Sequence, residues 1–434
     1  MKKKIISTLL ATAMAMTLLM GCTSNSENKN EVTSPADENT LTVWCWDPAF
    51  NINALKEAEK IYQQENPDFK LEVIETPWED LQTKLTTAVS ANKIDTLPDI
   101  ILMQDDAFQK NVISYPDAFE DLTNTTIDYS QFAEGKASAS LVEGQNYGVP
   151  FDNGAVIASY REDILAEAGF TTADFEDITW SEYIEKGKVV LEKTGKPLLS
   201  CLAGETDVLA MMLRSAGGGF FDEEGNPHIV GNNILKEVVE TYAELVKSGV
   251  LIEVADWDQY IGSLNNSTVA GTINGCWIMA SIQMSEEQAG LWRVTNMPKL
   301  NDVQTATNYA NQGGSSWAIT KGSNNPKLAI DFLGSTFGGS VKLYEEILET
   351  GAIATYKPAA ESDMYAQASD YFGGEEIYTM IVDFASKVPA SINGVYFYEA
   401  RDSVGTAVTN IIAGADIDSE LAAAQETVEF DMGQ

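Results

Sequence analysis

Carboxylates, amides and aromatic rings recur together at the ends of apolar runs in this chain. Trp46-Asp47 closes the run 41–46, Gln104-Asp105-Asp106 closes 98–103, and Phe151-Asp152-Asn153 follows Gly148-Val149-Pro150. Trp277 stands two residues after Gly275, and Trp44, Trp317 and Tyr398 also lie near element ends. Carboxylates and amides both suit a ligand rich in hydroxyls, because they accept, or accept and donate, hydrogen bonds. An indole or phenyl face suits the apolar C–H face of the same ligand. Each residue alone also has an ordinary role as a turn former, helix cap or core side chain. Core packing is the stronger expectation for Trp44 and Trp317, which are flanked by strand-forming residues.

Other chemistry is scarce. His228 is the only histidine, so a Ser-His-Asp triad has one candidate and a His-Glu-x-x-His metal site is impossible. Neither G-x-G-x-x-G nor G-x-x-x-x-G-K-[ST] occurs. The run Gly217-Gly218-Gly219 leads into Phe220-Phe221-Asp222-Glu223-Glu224, whose charge repels phosphate. The stretch Asp222-Glu223-Glu224-Gly225 lacks the alternation of a calcium loop. No catalytic residue, metal or cofactor is therefore assigned. A glycosidase, which needs only two carboxylates, is the enzyme class that composition leaves open.

The elements that position these residues read as α/β. Residues 41–46 have strand composition. Asn53 can cap a helix whose stripe is Leu55, Ala58, Ile61 and Tyr62, and Asn66-Pro67 stops it. Residues 70–74 read as a second strand, 78–91 as a second helix, and 98–103 as a third strand buried on both faces. The alternation implies a parallel, doubly wound sheet, with ligands beyond the carboxyl ends of its strands. The stretch 161–254 is mostly helical in pattern. Strands return at 269–278 and 315–320, and helices at 326–337, 404–412 and 418–429.

The N-terminus reads as an export signal. Lys2, Lys3 and Lys4 precede an apolar stretch at 5–20, which ends in Leu19-Met20-Gly21-Cys22. No other stretch is long and apolar enough to span a membrane. Residues 23–40 are polar and read as a flexible tether. The 434-residue chain is too long for one core and implies two lobes. Its net charge of −38, with no basic patch, argues against nucleic acid or anionic lipid as a partner. Cys45, Cys201 and Cys276 are an odd set and are expected as buried thiols.

Together these features resemble the family 1 extracellular solute-binding proteins of carbohydrate ABC importers, nearest to the lactose- and oligosaccharide-binding members. The likeness is carried by the Leu19-Met20-Gly21-Cys22 lipobox, the opening strand at 41–46, Pro98-Asp99-Ile100-Ile101 and Tyr147-Gly148-Val149-Pro150-Phe151-Asp152. It continues through Gly275-Cys276-Trp277, Asn311-Gln312-Gly313-Gly314, the 325–333 segment and the closing helix pair around Ile411-Ile412-Ala413-Gly414. The resemblance implies a signal peptide at 1–21, a lipid on Cys22 and a tether over 22–40. It implies two α/β lobes, each a mainly parallel sheet flanked by helices. The first would hold 41–149 with about 279–353, and the second about 150–278 with 354–434. Crossovers would fall near Pro150, Ile278 and Ile353. Binding positions implied are Trp46, Asp47, Gln104, Asp105, Phe151, Asp152, Asn153, Trp277, Gly313, Gly314 and, as a guanidinium for vicinal hydroxyls, Arg401. The implied protein is a non-enzymatic, monomeric lipoprotein. It would be held outside the membrane by its anchor alone and would deliver sugar to ABC permease subunits by hinge closure. Facing carboxylates would favour an open cleft, with polar rims satisfied only when sugar bridges them.

Overall fold

A computed structural model describes residues 38–204, 207–390 and 394–433. The expected signal, Cys22 and nearly all of the tether lie outside the described residues. Asn39 onward forms one compact unit.

The first elements fall where their composition places them. β1 (Thr40–Cys45), β2 (Lys70–Glu75) and β3 (Ile100–Gln104) pair in parallel, with β1 between the other two. The helix Asn51–Tyr62 buries Leu55, Ala58 and Tyr62 on one stripe. Asn53 is not its cap but lies inside it. Asp47 takes the capping role, with Oδ1 accepting from the amides of Ala49 at 2.8 Å and Phe50 at 3.1 Å. The helix Trp78–Ser90 covers the other face through Leu81 and Leu85.

Beyond these strands the sheet is antiparallel. Short β4 (Leu141–Val142) and β5 (Gln145–Asn146) form a hairpin before β6 (Gly148–Arg161), a 14-residue strand absent from the sequence reading. Pro150, Asp152, Asn153 and Gly154 look like a turn, yet they form a bulged strand. The register to β11 (Asn311–Ile319) shifts between Ser315 and Ser316. Gly154 is required there, because a Cβ would sit 2.1 Å from the Gln312 carbonyl oxygen.

β6 connects two halves. Its first part pairs with β11, which in turn pairs with β3. Its second part pairs with β9 (Gly271–Gly275) and β10 (Trp292–Thr295). A separate parallel pair is β7 (Leu199–Leu202) with β8 (Leu251–Val254). The fold is thus mixed α/β and two-lobed.

Two principal cores match this division. One gathers Val43, Phe50, Phe151, Trp317, Phe332 and Tyr344, extended on the other sheet face by Leu85, Met103 and Phe108. The second gathers Tyr160, Phe175, Trp180, Tyr183, Tyr242 and Val404. A third cluster, with Ile157, Tyr260, Trp292 and Ile353, lies beside the distal half of β6. The segment 292–310 does not pack with the first lobe as the sequence division has it. β10 bonds to the far end of β6, and Met297, Leu300 and Ala310 pack beside Trp180. The chain rejoins β3 only along β11.

Three segments of the chain meet at one place. Asp152 bridges Ala354, and Cys276 donates its thiol to the carbonyls of Asn153 (3.1 Å) and Gly351 (3.3 Å). Cys45, Cys201 and Cys276 are all buried, and none is in a disulfide. No described helix is long and apolar enough to cross a membrane.

Candidate ligand-binding site

Around this crossing the strand ends of the first lobe meet helices of the second. The end of β1 presents Trp46, edge-on to Trp78 at 5.4 Å, and Trp78 lies 6.1 Å from Tyr398 of the second lobe. Tyr398 donates its hydroxyl to the Gln104 amide oxygen at the end of β3. Arg401 lies one turn further along the same helix, Phe397–Ile412, with its guanidinium 4.8 Å from the Tyr398 ring. It pairs with Asp402 at 2.9 Å and Asp207 at 3.9 Å.

A second aromatic pair stands at the end of β9. Trp277 is fixed edge-first, because its Nε1 donates to the Gln312 carbonyl at 2.9 Å. Its ring lies 5.9 Å from Trp257, which is 37 % exposed and opens the helix after β8. Gly313, at φ +77°, runs directly past the Trp277 nitrogen. Asn153 lies opposite Gly314 in the β6–β11 ladder and keeps its side chain partly exposed.

Between these groups lies a buried charged knot. Lys136 pairs with Asp105 and donates to the Ser315 carbonyl at 2.7 Å, while Ser316 Oγ donates to Asp105 Oδ1 at 3.0 Å. Asp152 Oδ1 accepts from both the Ser315 amide (2.8 Å) and hydroxyl (2.5 Å). Gly314, at φ +106°, is obligatory: a Cβ would lie 2.7 Å from Asp105 Oδ2. Burial pushes the Asp105 carboxyl up to about 6; Lys136 opposes that and Asp152 adds to it. Burial likewise raises Asp152 and Asp47. A group whose folded pKa is raised binds its proton more tightly in the native state. Asp105 therefore favours folding below the ordinary aspartate range, and that contribution is lost as pH rises through about 6. Carboxyl ¹³C titration of labelled protein is expected to place the Asp105 midpoint near 6. A midpoint at or below the ordinary aspartate value of about 3.9 contradicts the burial argument.

Two expected ligand contacts need correction. Phe151 is fully buried, packed at 5.3–5.4 Å against Phe50, Trp317 and Phe337, so its ring faces core rather than cleft. Asp152 is 2 % exposed, and the one oxygen with side-chain partners serves β11. Asp47 is partly exposed and gives only Oδ1 to the helix start, which leaves its expected role open to Oδ2. The expectation of rims satisfied only by sugar also fails, since Gln104 and Tyr398 satisfy each other across the lobes. Trp46, Gln104, Asp105, Asn153, Trp277, Gly313, Gly314 and Arg401 are brought into one neighbourhood.

Sequence reasoning missed Arg214, Lys136, Trp78 and Trp257, and singled out Tyr398 only as an aromatic. Arg214 is the lone charge in the last turns of an otherwise apolar helix, Asp207–Ser215, which signals a buried partner. Trp257 repeats the strand-end pattern of Trp46 and Trp277, which would have found it.

A protein with this two-lobed α/β fold, and with aromatic and polar groups gathered where its strands cross, is built to hold a small ligand. The model of the bacterial extracellular solute-binding protein family matches residues 57–373, and the chain belongs to that family. A lactose-binding protein of Rhizobium radiobacter is 35 % identical over 387 residues, covering 89 % of this chain and 91 % of that one. In fold the chain is similar to an ABC transporter associated binding protein of B. animalis subsp. lactis, solved with β-1,6-galactobiose. The TM-score is 0.76 at 24 % identity, over 91 % of this chain and 97 % of that one. It is also similar to the GacH receptor of Streptomyces glaucescens, solved unliganded and with acarbose, with a TM-score of 0.76 at 17 % identity over 90 % and 97 %.

Proposed function

We propose that this protein captures a di- or oligosaccharide outside the membrane and delivers it, unaltered, to ABC permease subunits. The observation that carries the reading is the pairing of two aromatic sets, Trp46–Trp78–Tyr398 and Trp257–Trp277, with the polar strand ends beside them. Indole faces supply the flat apolar contact a pyranose needs, and Gln104, Asn153 and Arg401 supply hydroxyl partners. The curated lactose-binding relative supports the same ligand class. The buried acids support binding without hydrolysis. A glycosidase needs one carboxylate against the scissile bond and a second across it, whereas Asp105 and Asp152 are engaged by Lys136, Ser315 and Ser316.

A thermal-shift panel of lactose, β-1,6-galactobiose and arabinooligosaccharides tests this. A ligand at 100 times its Kd stabilises the folded state by about 2.7 kcal/mol and raises Tm by several degrees. No shift with any of them would speak against a sugar of these classes.

The mature protein is read as a monomer held at the membrane by a lipid on Cys22. Cys22→Ser is expected to move the protein from the membrane fraction into solution. Membrane retention of that variant with the signal cut would contradict a lipid anchor. Ligand closure is read as a hinge motion of the two lobes about the crossing near Asn153, Cys276 and Gly351. Ligand drives it only through its greater affinity for the closed form.

A further inference from the structure

The two lobes are tied directly by their own charges. Arg214, 4 % exposed on the second lobe, donates from Nη2 to Asp106 Oδ2 of the first at 2.7 Å. Its Nη1 reaches the Asn311 carbonyl and Gln312 Oε1, both at 3.2 Å, on the strand that joins the lobes. Its guanidinium also stacks 4.6 Å above Phe397. A second tie runs from Lys110, on the helix Asp105–Ser114 of the first lobe, to Glu399 of the second. Lys110 also sits 5.0 Å over the Tyr396 ring. The chain carries 27 Lys and Arg against 65 Asp and Glu. In so acidic a molecule, each of these cations on one lobe meets an acid on the other.

We infer that Arg214–Asp106 and Lys110–Glu399 form a charge latch that holds the lobes together without ligand. The latch sets the threshold for capture. Acidic surfaces brought face to face repel, and these two pairs offset that repulsion. The Arg214 pair is mostly dry and so keeps its strength in salt, whereas the Lys110 pair is partly exposed, at 32 % and 22 % for its two side chains. Arg214 Nε and Glu399 Oε2 are buried without a hydrogen-bond partner among the described residues. A latch of this kind enlarges the closed population before sugar arrives, and apparent affinity rises in proportion to that population.

The test is small-angle scattering on residues 39–434 without sugar. Lys110→Glu places like charges across the lobes and is expected to enlarge the radius of gyration. Adding Glu399→Lys restores the pair in reverse and should return the wild-type value. Asp106→Asn should also expand the protein, with a circular dichroism spectrum like wild type. The lactose arm alone rests on the proposed ligand class: Lys110→Glu should raise the apparent Kd about tenfold, and the swapped pair should recover it. Equal radii for wild type, Lys110→Glu and Asp106→Asn, all folded, would overturn the latch whatever ligand is bound. So would expansion that the charge swap leaves uncorrected.

Discussion

Trp277→Ala is expected to lose most of the affinity for lactose while remaining folded. The indole is held by one edge, with Nε1 on the Gln312 carbonyl, so its face is set in position before ligand arrives. A preorganised aromatic anchor contributes more than its area alone, because little rotamer freedom is lost on binding. Truncating such an anchor costs about 2 kcal/mol or more, which is roughly thirtyfold in Kd. Trp257, 5.9 Å away, remains in the variant and can contact one end of a longer sugar. The loss should therefore be larger for lactose than for an arabinooligosaccharide. Calorimetric titration of both sugars reads this, with a Kd within threefold of wild type for lactose as the contrary result.

Phe151→Ala is expected to behave oppositely, losing stability first and affinity only through it. The ring packs between Phe50, Trp317 and Phe337 with no exposed surface. Removing a buried phenyl ring leaves a cavity and costs about 3–5 kcal/mol. Its backbone carbonyl accepts from Tyr344 and Thr355, so the crossover strand itself should stay paired. Urea unfolding would show a midpoint well below wild type, while Kd for lactose in dilute buffer changes by less than threefold. A stable variant that cannot bind would restore Phe151 to the ligand face.

These two residues show what the chain discloses by itself and what it withholds. Parallel β1, β2 and β3 and their helices were legible, because apolar periodicity and stop signals are local properties. β6 was not, since Pro150, Asp152 and Gly154 carry turn chemistry, and only pairing with β11 makes a bulged strand of them. Nor was the assignment of 292–310, because the short strand Trp292–Thr295 finds its lobe through a partner more than 130 residues earlier in the chain.

Within the candidate site, the positions marked in the sequence were those with an aromatic or amide at a strand end: Trp46, Gln104, Asn153 and Trp277. Those defined by a long-range partner were not. Nothing beside Lys136 announces that it will lie against Asp105 and Ser315. Asp152 and Phe151 carried the right residue types, but β11 and the core use them. Residue type restricts the chemistry available; the fold decides which face of it is offered.

In the proposed function the protein takes up a neutral sugar and gives it back unchanged. Equilibrium dialysis against radiolabelled lactose, followed by mass spectrometry of the recovered sugar, tests it most directly. Saturable one-to-one uptake with micromolar affinity, and lactose returned at its original mass, is the predicted result. Recovery of free monosaccharides, or no saturable uptake of lactose, β-1,6-galactobiose or an arabinooligosaccharide, would contradict it.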